Sequence, residues 1–128
     1  MTSPSFQQAL ADFGREIGIT DLAPGPHGGA HLRFDSGASL GIDPQDDQVL
    51  VHLSEPLRHD VAATVLKAMK RSAQPQPGEP LVQVGLRSTT AGDWLLMGTR
   101  LPAAECDARL LGQRAGQLRE WFARLQRP

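Results

Sequence analysis

Three strand-like runs lie in residues 31–53, which read HLRFDSGASLGIDPQDDQVLVHL. The runs are His31–Asp35, Ala38–Ile42 and Val49–Leu53. Apolar residues recur at every second position in each run, which is typical of strands with one buried face. Ser36-Gly37 predicts a tight turn after the first run, and Asp43–Asp47 predicts another before the third. The stretch therefore predicts a three-stranded antiparallel meander.

Segments with a helical period of apolar residues lie on both sides of this meander and at the end of the chain. The predicted helices are Ser3–Ile19, Asp60–Arg71 and Pro102–Leu125. Ser3 and Asp60 are candidate N-caps, and Gly18 is a candidate C-cap glycine. The second helix carries more apolar surface than a single core stripe requires, which suggests a partner surface there.

Two further strands, Leu81–Leu86 and Trp94–Thr99, are predicted between the second and third helices. The resulting order is α-β-β-β-α-β-β-α. This order predicts an α+β fold in which an antiparallel sheet packs against helices. Because 128 residues suffice for one domain and not for two of ordinary size, we expect residues 1–128 to form a single domain.

The composition and charge of the chain argue against several classes of protein. The chain has 13 basic and 14 acidic residues and a net charge of −1, a balance that argues against a general nucleic-acid binder. Cys106 has no second cysteine with which to pair, so we expect a reducing, cytoplasmic setting. The sequence has neither an 18-residue apolar run nor a standard signal peptide at its start, so we expect neither a membrane span nor export.

A few residues have side chains suited to chemistry. His31 and His52 are predicted on adjacent strands near Asp35 or Asp43, and polar residues on a sheet face explain this pattern better than a metal or acid–base site does. Cys106 is predicted in the first turn of the last helix, without a nucleophile motif around it. Acid-rich Asp43–Asp47 and glycine-rich Gly25–Gly29 lack the spacing of calcium and phosphate loops. We therefore predict no catalytic, cofactor-binding or metal site.

Several segments resemble the class I type III secretion chaperones, the family of the Tir chaperone. Phe6–Ile19 (FQQALADFGREIGI) is similar to the family's opening helix, and Gly29–Ile42 (GAHLRFDSGASLGI) to its first hairpin. Trp94–Leu110 (WLLMGTRLPAAECDARL) resembles its last strand, Leu-Pro step and final helix start, where Cys106-Asp107 replaces a Leu-Asp pair. The resemblance extends over nearly the whole chain and includes the aromatic residues at the end of the last helix, in Trp121–Leu125.

The resemblance implies a bacterial, cytoplasmic chaperone that binds the extended N-terminal segment of a secreted effector without catalysis or ATP. Release would be the work of the secretion ATPase. It also implies a homodimer formed through the second helix and a neighbouring strand. The residues it assigns to the dimer interface are Val61, Val65, Leu66, Met69, Val82 and Val84. The residues it assigns to the effector-binding groove are Phe6, Leu10, Phe13, Leu32, Phe34 and Leu40.

Other functions stay open at this point. A related regulator or co-chaperone of the secretion apparatus would bind a folded partner instead of an extended segment. A small α+β enzyme would use His31, His52 or Cys106. A small-molecule pocket between sheet and helices is a third alternative, although no residue indicates its ligand.

Overall fold

The computed structural model describes residues 4–127 and confirms the predicted α+β fold and its order of elements. The helices are α1 (Pro4–Glu16), α2 (Val61–Ala73) and α3 (Ala108–Leu125), and a short 3₁₀ turn covers Ala103–Glu105. The strands are β1 (Ala30–Arg33), β2 (Ser39–Gln45), β3 (Gln48–Leu57), β4 (Gln83–Thr89) and β5 (Gly92–Pro102). The candidate N-cap Ser3 lies outside the described residues.

The strands form one antiparallel sheet with the order β1-β2-β3-β5-β4, so β1 and β4 are its edges. The predicted meander is the β1-β2-β3 half of this sheet. Burial alternates along β3, where Val49, Val51 and Leu53 are buried and the residues between them are partly exposed. One face of the sheet therefore packs against the core, and the other is partly open to solvent.

The helices supply the other half of the core. On α3 one stripe of apolar residues is buried, with Leu111 and Leu118 fully enclosed. Its members are Leu111, Ala115, Leu118, Phe122 and Leu125. Helix α3 packs against β3 and β5 and also contacts α1, whose Leu10 and Phe13 belong to the same core. Thr99 is the buried polar residue among the described ones. Within residues 4–127, no helix combines the length and hydrophobicity needed to cross a membrane.

The start of the last helix differs from the prediction. Pro102 ends β5, and the helix begins at Ala108 instead, because the Asp107 carboxylate accepts a hydrogen bond from the Leu110 amide at 2.8 Å. Such an N-cap satisfies one of the free amides of the first turn. Cys106 consequently precedes the helix and does not lie in its first turn, which corrects the prediction for this residue.

Other boundaries differ in ways that local chemistry explains. The first helix ends at Glu16, and Gly18 follows with a φ of 85°, the left-handed conformation expected of a helix-ending glycine. Asp60 does occupy the N-cap of α2, but its φ of 48° leaves it without a side-chain cap hydrogen bond. The turn after β2 is shorter than predicted, because Asp43 belongs to the strand.

Candidate partner-binding site

The predicted groove residues divide into two sets. Phe6, Leu10, Phe13 and Leu40 are buried in the core of the chain. Leu32 and Phe34 are only half-buried and pack against the edge of that core. The sequence could not separate these sets, because α1 and the meander contribute apolar residues both to the core and to its margin.

A depression of about 450 Å³ lies where the C-terminal end of α1, strand β1 and helix α3 meet. We call it the α1–α3 depression. Its lining residues are Phe13, Ile17, Ile19, Leu32, Arg33, Phe34, Leu40, Leu53, Gly112, Ala115, Gly116 and Arg119. Four of the predicted groove residues are among them, whereas Phe6 and Leu10 are not. The depression is mostly apolar and adjoins an edge strand of the sheet.

Two isoleucines give the α1–α3 depression an exposed apolar margin. Ile17 is 44% exposed and Ile19 is 36% exposed. They follow the last residue of α1, where the Ile19 amide donates a hydrogen bond to the Gly14 carbonyl at 2.7 Å. Ile17 continues the apolar spacing of the first helix, so sequence periodicity points to it. Nothing in the local sequence places Ile19 beside it.

Two glycines on α3, Gly112 and Gly116, help to form the α1–α3 depression. A Cβ added at Gly116 would meet nothing within 4 Å, and one at Gly112 would meet only the Phe13 ring at 3.9 Å. Neither glycine is required by contacts within the chain, and glycine inside a helix is unfavourable by about 1 kcal/mol relative to alanine. The two glycines therefore leave open space over α3 at the expense of some helix stability.

Two charged residues, Arg33 and Arg119, line the α1–α3 depression. Strand alternation puts the Arg33 side chain on the same sheet face as His31, so Arg119 supplies the charge on the α3 side. The Arg119 guanidinium lies over the Phe34 ring, 5.7 Å from its centroid. Burial raises the pKa of the neighbouring Glu55 carboxyl, and the attraction of Arg119 partly opposes that rise. An apolar surface of this kind can accept apolar side chains from a partner, and the single arginine beside it is partly balanced by Glu55.

A second depression, of about 370 Å³, lies between α2, residues 79–82 and α3. Here the charges are paired within the chain. The Arg71 guanidinium contacts the Glu79 carboxylate at 2.6 Å and stacks over the Trp121 ring at 5.3 Å from its centroid. Arg124 lies 3.7 Å from the same carboxylate. The charges at the margin of this second depression are therefore compensated by ion pairs.

Large apolar side chains are exposed on α2, just before β4 and on β4. We call this group the α2–β4 surface; its exposed members are Leu66 (53%), Met69 (57%), Leu81 (71%) and Leu86 (47%). Large apolar side chains at such exposure on neighbouring elements are characteristic of a protein–protein interface.

The predicted interface residues only partly coincide with the α2–β4 surface. Leu66 and Met69 belong to it, whereas Val61, Val65 and Val84 are half-buried and pack against the core. Val82 is buried within the chain, where its carbonyl accepts a hydrogen bond from the Ser72 hydroxyl at 2.6 Å. Burial falls from Val82 through Val84 to Leu86 along one face, because the core becomes thinner towards the end of β4.

His31, Asp43 and His52 form a polar cluster on the open face of the sheet. The two histidines are not on adjacent strands as predicted, because β2 lies between β1 and β3. They meet across Gly41, with ring centroids 5.7 Å apart. Asp43 contacts His52 Nε2 at 2.6 Å and lies 3.8 Å from His31 Nε2. Among residues 4–127 no group of three or more His, Cys, Asp or Glu has a metal-binding arrangement.

Cys106 has properties unlike those of an activated nucleophile. Burial, and to a lesser extent the neighbouring Asp107 carboxylate, raise the pKa of its thiol to about 11. Reactive cysteines have a lowered pKa, because the thiolate is the nucleophilic form. The Cys106 thiol is therefore protonated at neutral pH.

No protein-family model matches this sequence, and a search of curated proteins found no match either. Solved structures, in contrast, match over most of the chain. The type III secretion chaperone SycH of Yersinia pestis, in complex with a fragment of YscM2, superposes with a TM-score of 0.68 and 13% identity, covering 94% of this chain and 99% of SycH.

Two further complexes give similar superpositions. The HopA1–SchA chaperone–effector complex has a TM-score of 0.65 and 17% identity over 92% of this chain and 90% of the matched chain. The ExsC–ExsE complex has a TM-score of 0.64 and 15% identity over 95% and 92%. The chain therefore has the fold of the type III secretion chaperones, as the sequence resemblance implied.

Proposed function

We propose that this chain is a class I type III secretion chaperone that holds the extended N-terminal segment of a secreted effector in a secretion-competent state. The observation that carries the proposal is the apolar α1–α3 depression, which lies beside the edge strand β1 in a chain with this fold. The proposal treats residues 1–128 as one chaperone domain that works in the bacterial cytoplasm without a cofactor. It involves no catalysis, and the raised pKa of Cys106 supports that part.

Binding would combine two kinds of contact. An apolar side chain of the effector would enter the α1–α3 depression against Leu32, Phe34 and the exposed Ile17 and Ile19. The backbone of the same segment could pair with β1, because an edge strand presents free hydrogen-bonding groups to an added strand. Main-chain pairing would contribute affinity, and the depression would select the side chain.

An unfolded effector segment must make a long contact with the chaperone if binding is to offset the cost of ordering it. Ordering an unfolded segment costs about 1–2 kcal/mol per residue, whereas burying one large apolar side chain contributes about 1.5–3 kcal/mol. The α1–α3 depression, with a volume of about 450 Å³, has room for a small number of such side chains, so by itself it offsets the ordering of only a few residues. A segment held securely must therefore wrap over several surfaces, and two copies of the chaperone would double the number of sites.

We propose that the chain forms a homodimer through the α2–β4 surface. Four large apolar side chains there remain exposed in the single chain: Leu66, Met69, Leu81 and Leu86. Val61, Val65 and Val84 would support this surface from beneath. In this arrangement the α1–α3 depressions of both copies stay open to the effector. We propose that the secretion ATPase releases the bound effector.

The experiment that tests the function is capture of the partner by the tagged full chain from a lysate of its native bacterium. We expect a secreted protein whose N-terminal segment, about 50–100 residues long, resists limited proteolysis only in the complex. Ile17→Asp places a charge at the margin of the depression and should reduce capture. Ala104→Asp, an exposed position away from the depression, is the matched control.

Two outcomes would contradict the proposal. A partner that is folded and protected throughout its length would indicate a regulator or co-chaperone of the secretion apparatus. Equal capture by the Ile17→Asp variant would move the binding site away from the α1–α3 depression.

A further inference from the structure

The α1–α3 depression and the second depression meet on the outer side of α3. Gly112 and Gly116 line both of them and are about one helical turn apart. Gly116 is exposed, and a Cβ placed there would meet nothing within 4 Å. At these two positions the helix has no side chain to separate the depressions. They are therefore the two ends of one groove that crosses α3.

The far end of this groove suits an uncharged, apolar group. The charged residues that line the second depression each take part in an ion pair within the chain; they are Arg71, Glu79, Glu120 and Arg124. The Arg71 guanidinium also stacks on the Trp121 ring. Because these charges already have partners, an apolar side chain can pack here without leaving a charge unpaired.

The second depression lies away from the α2–β4 surface at which a second copy would bind. Successive residues of an α-helix are about 100° apart, so Arg71, which lines the depression, projects about 140° away from Leu66 of that surface. The groove instead continues from the α1–α3 depression, to which the proposed function assigns an extended segment. The same segment is therefore the natural occupant of both ends.

We infer that the extended segment bound in the α1–α3 depression crosses α3 over Gly112 and Gly116 and places a second apolar anchor in the second depression. This inference rests on the proposed function and adds a requirement on the partner, which needs two anchors instead of one. An α-helix with its side chains is about 10 Å wide, and an extended chain advances about 3.3 Å per residue. Because alternate residues of an extended chain point the same way, we expect the anchors about four residues apart.

The crossing explains why α3 has glycine at two positions where its own packing does not require it. Glycine inside a helix is less favourable than alanine or leucine. A larger side chain at Gly116 should therefore stabilise the free chain and obstruct the crossing. A glycine needed for packing within the chain would behave in the opposite way, because its replacement would destabilise the fold.

Two fluorescently labelled peptides of identical composition test the inference. Each has two leucines in a Ser/Asn background; the leucines are four residues apart in the spaced peptide and neighbours in the adjacent peptide. Fluorescence anisotropy with the full chain should give a Kd about tenfold lower for the spaced peptide, because only its leucines can be buried in both depressions at once.

Substitutions on α3 supply the decisive comparison. In Gly116→Leu the two peptides should bind equally, while the thermal unfolding midpoint of the free chain rises by about 2–6 °C. Gly116→Ala should give an intermediate preference. Arg109→Leu places a leucine at an exposed position of the same helix that lines neither depression, and it should keep the full preference. Because both peptides are compared on the same variant, any effect of the new leucine on the α1–α3 depression itself cancels.

Three results would overturn the inference: no preference of the wild-type chain for the spaced peptide, which includes no binding of either; a preference that survives Gly116→Leu; or a lower unfolding midpoint in both Gly116→Leu and Gly116→Ala. The capture experiment distinguishes this failure from failure of the proposed function. If the wild-type chain and Gly116→Leu capture a secreted segment equally well, only the crossing is wrong. If no secreted segment is captured, the proposed function itself fails.

Discussion

The Glu55 carboxyl illustrates how a single residue at the site margin responds to its surroundings. It is half-buried on β3, and burial raises its pKa above the ordinary value of 4.5 more than the attraction of Arg119 lowers it. Below pH 4.5 the group is protonated in the folded and the unfolded chain alike. As the pH rises through its raised folded pKa, the carboxyl must ionise in a desolvated position, and the stability linked to its protonated form is lost.

We therefore predict that Glu55→Gln raises the free energy of unfolding at neutral pH and that this gain disappears at about pH 4. The variant removes a carboxylate that burial disfavours and keeps a side chain of similar size. Urea unfolding of both proteins at the two pH values measures the effect, with Glu105→Gln at an exposed position as the control. A difference that stays constant with pH would show that burial does not govern this carboxyl.

At the scale of secondary-structure elements, the sheet depends on close approaches that glycine permits. The His52 ring of β3 lies directly over Gly41 of β2, and a Cβ at Gly41 would collide with several ring atoms. Gly29 likewise leaves room for the Asp43 carboxylate, which contacts His52. These contacts link β2 and β3 on the open face of the sheet.

Gly41→Ala should consequently lower the free energy of unfolding by about 1–3 kcal/mol, the usual range for overpacking. His52→Ala removes the colliding ring, so the same glycine change should be much less harmful in that background. Urea unfolding of the two single variants and the double variant forms a thermodynamic cycle that measures the coupling. Additive effects would contradict the packing described for this pair.

The periodicity of apolar residues predicts the elements well and their ends less well. Alternation gives the strands, and spacings of three and four give the helices, because each pattern reflects one buried face. The start of α3 is misjudged since Pro102 is an acceptable helix start, whereas the hydrogen bond from Leu110 to Asp107 selects another. The predicted dimer interface includes Val82, which is buried, and omits Leu81, which is exposed. Alternation could not prevent this error, because it does not say which face of an edge strand is covered.

The candidate site is less predictable than the elements, because it arises from three segments that are distant in sequence. Leu32 and Phe34 could be proposed from the meander, and four of six predicted groove residues do line the α1–α3 depression. The open space over Gly112 and Gly116 depends on what packs beside α3, which periodicity cannot show. The approach of Arg119 to Phe34 joins α3 to the segment after β1 and has no local signal.

At the scale of the whole molecule, the fold presents two separate apolar surfaces. The α1–α3 depression lies beside the β1 edge, and the α2–β4 surface lies at the opposite edge of the sheet. Separation of this kind lets one surface hold a second copy while the other stays free for a partner. It also allows the two roles to be tested by different substitutions.

We predict that the chain has about twice its single-chain mass of 13.8 kDa in solution and that Leu66→Asp reduces it to a monomer. A carboxylate in an apolar interface would be buried without a partner, which is strongly unfavourable. Ile17→Asp makes the same kind of change at the other surface and should remain dimeric. Sedimentation equilibrium measures all three, and a monomeric wild type would refute the interface.

The most direct test of the account is backbone hydrogen exchange of the full chain, measured alone and in complex with the captured segment. We expect slower exchange on binding at residues 17–19, at residues 30–34 and along the exposed side of α3, and fast exchange of the free segment. Exchange that is unchanged at these positions, with protection confined to the open face around His52, would contradict the assignment of the α1–α3 depression as the partner-binding site.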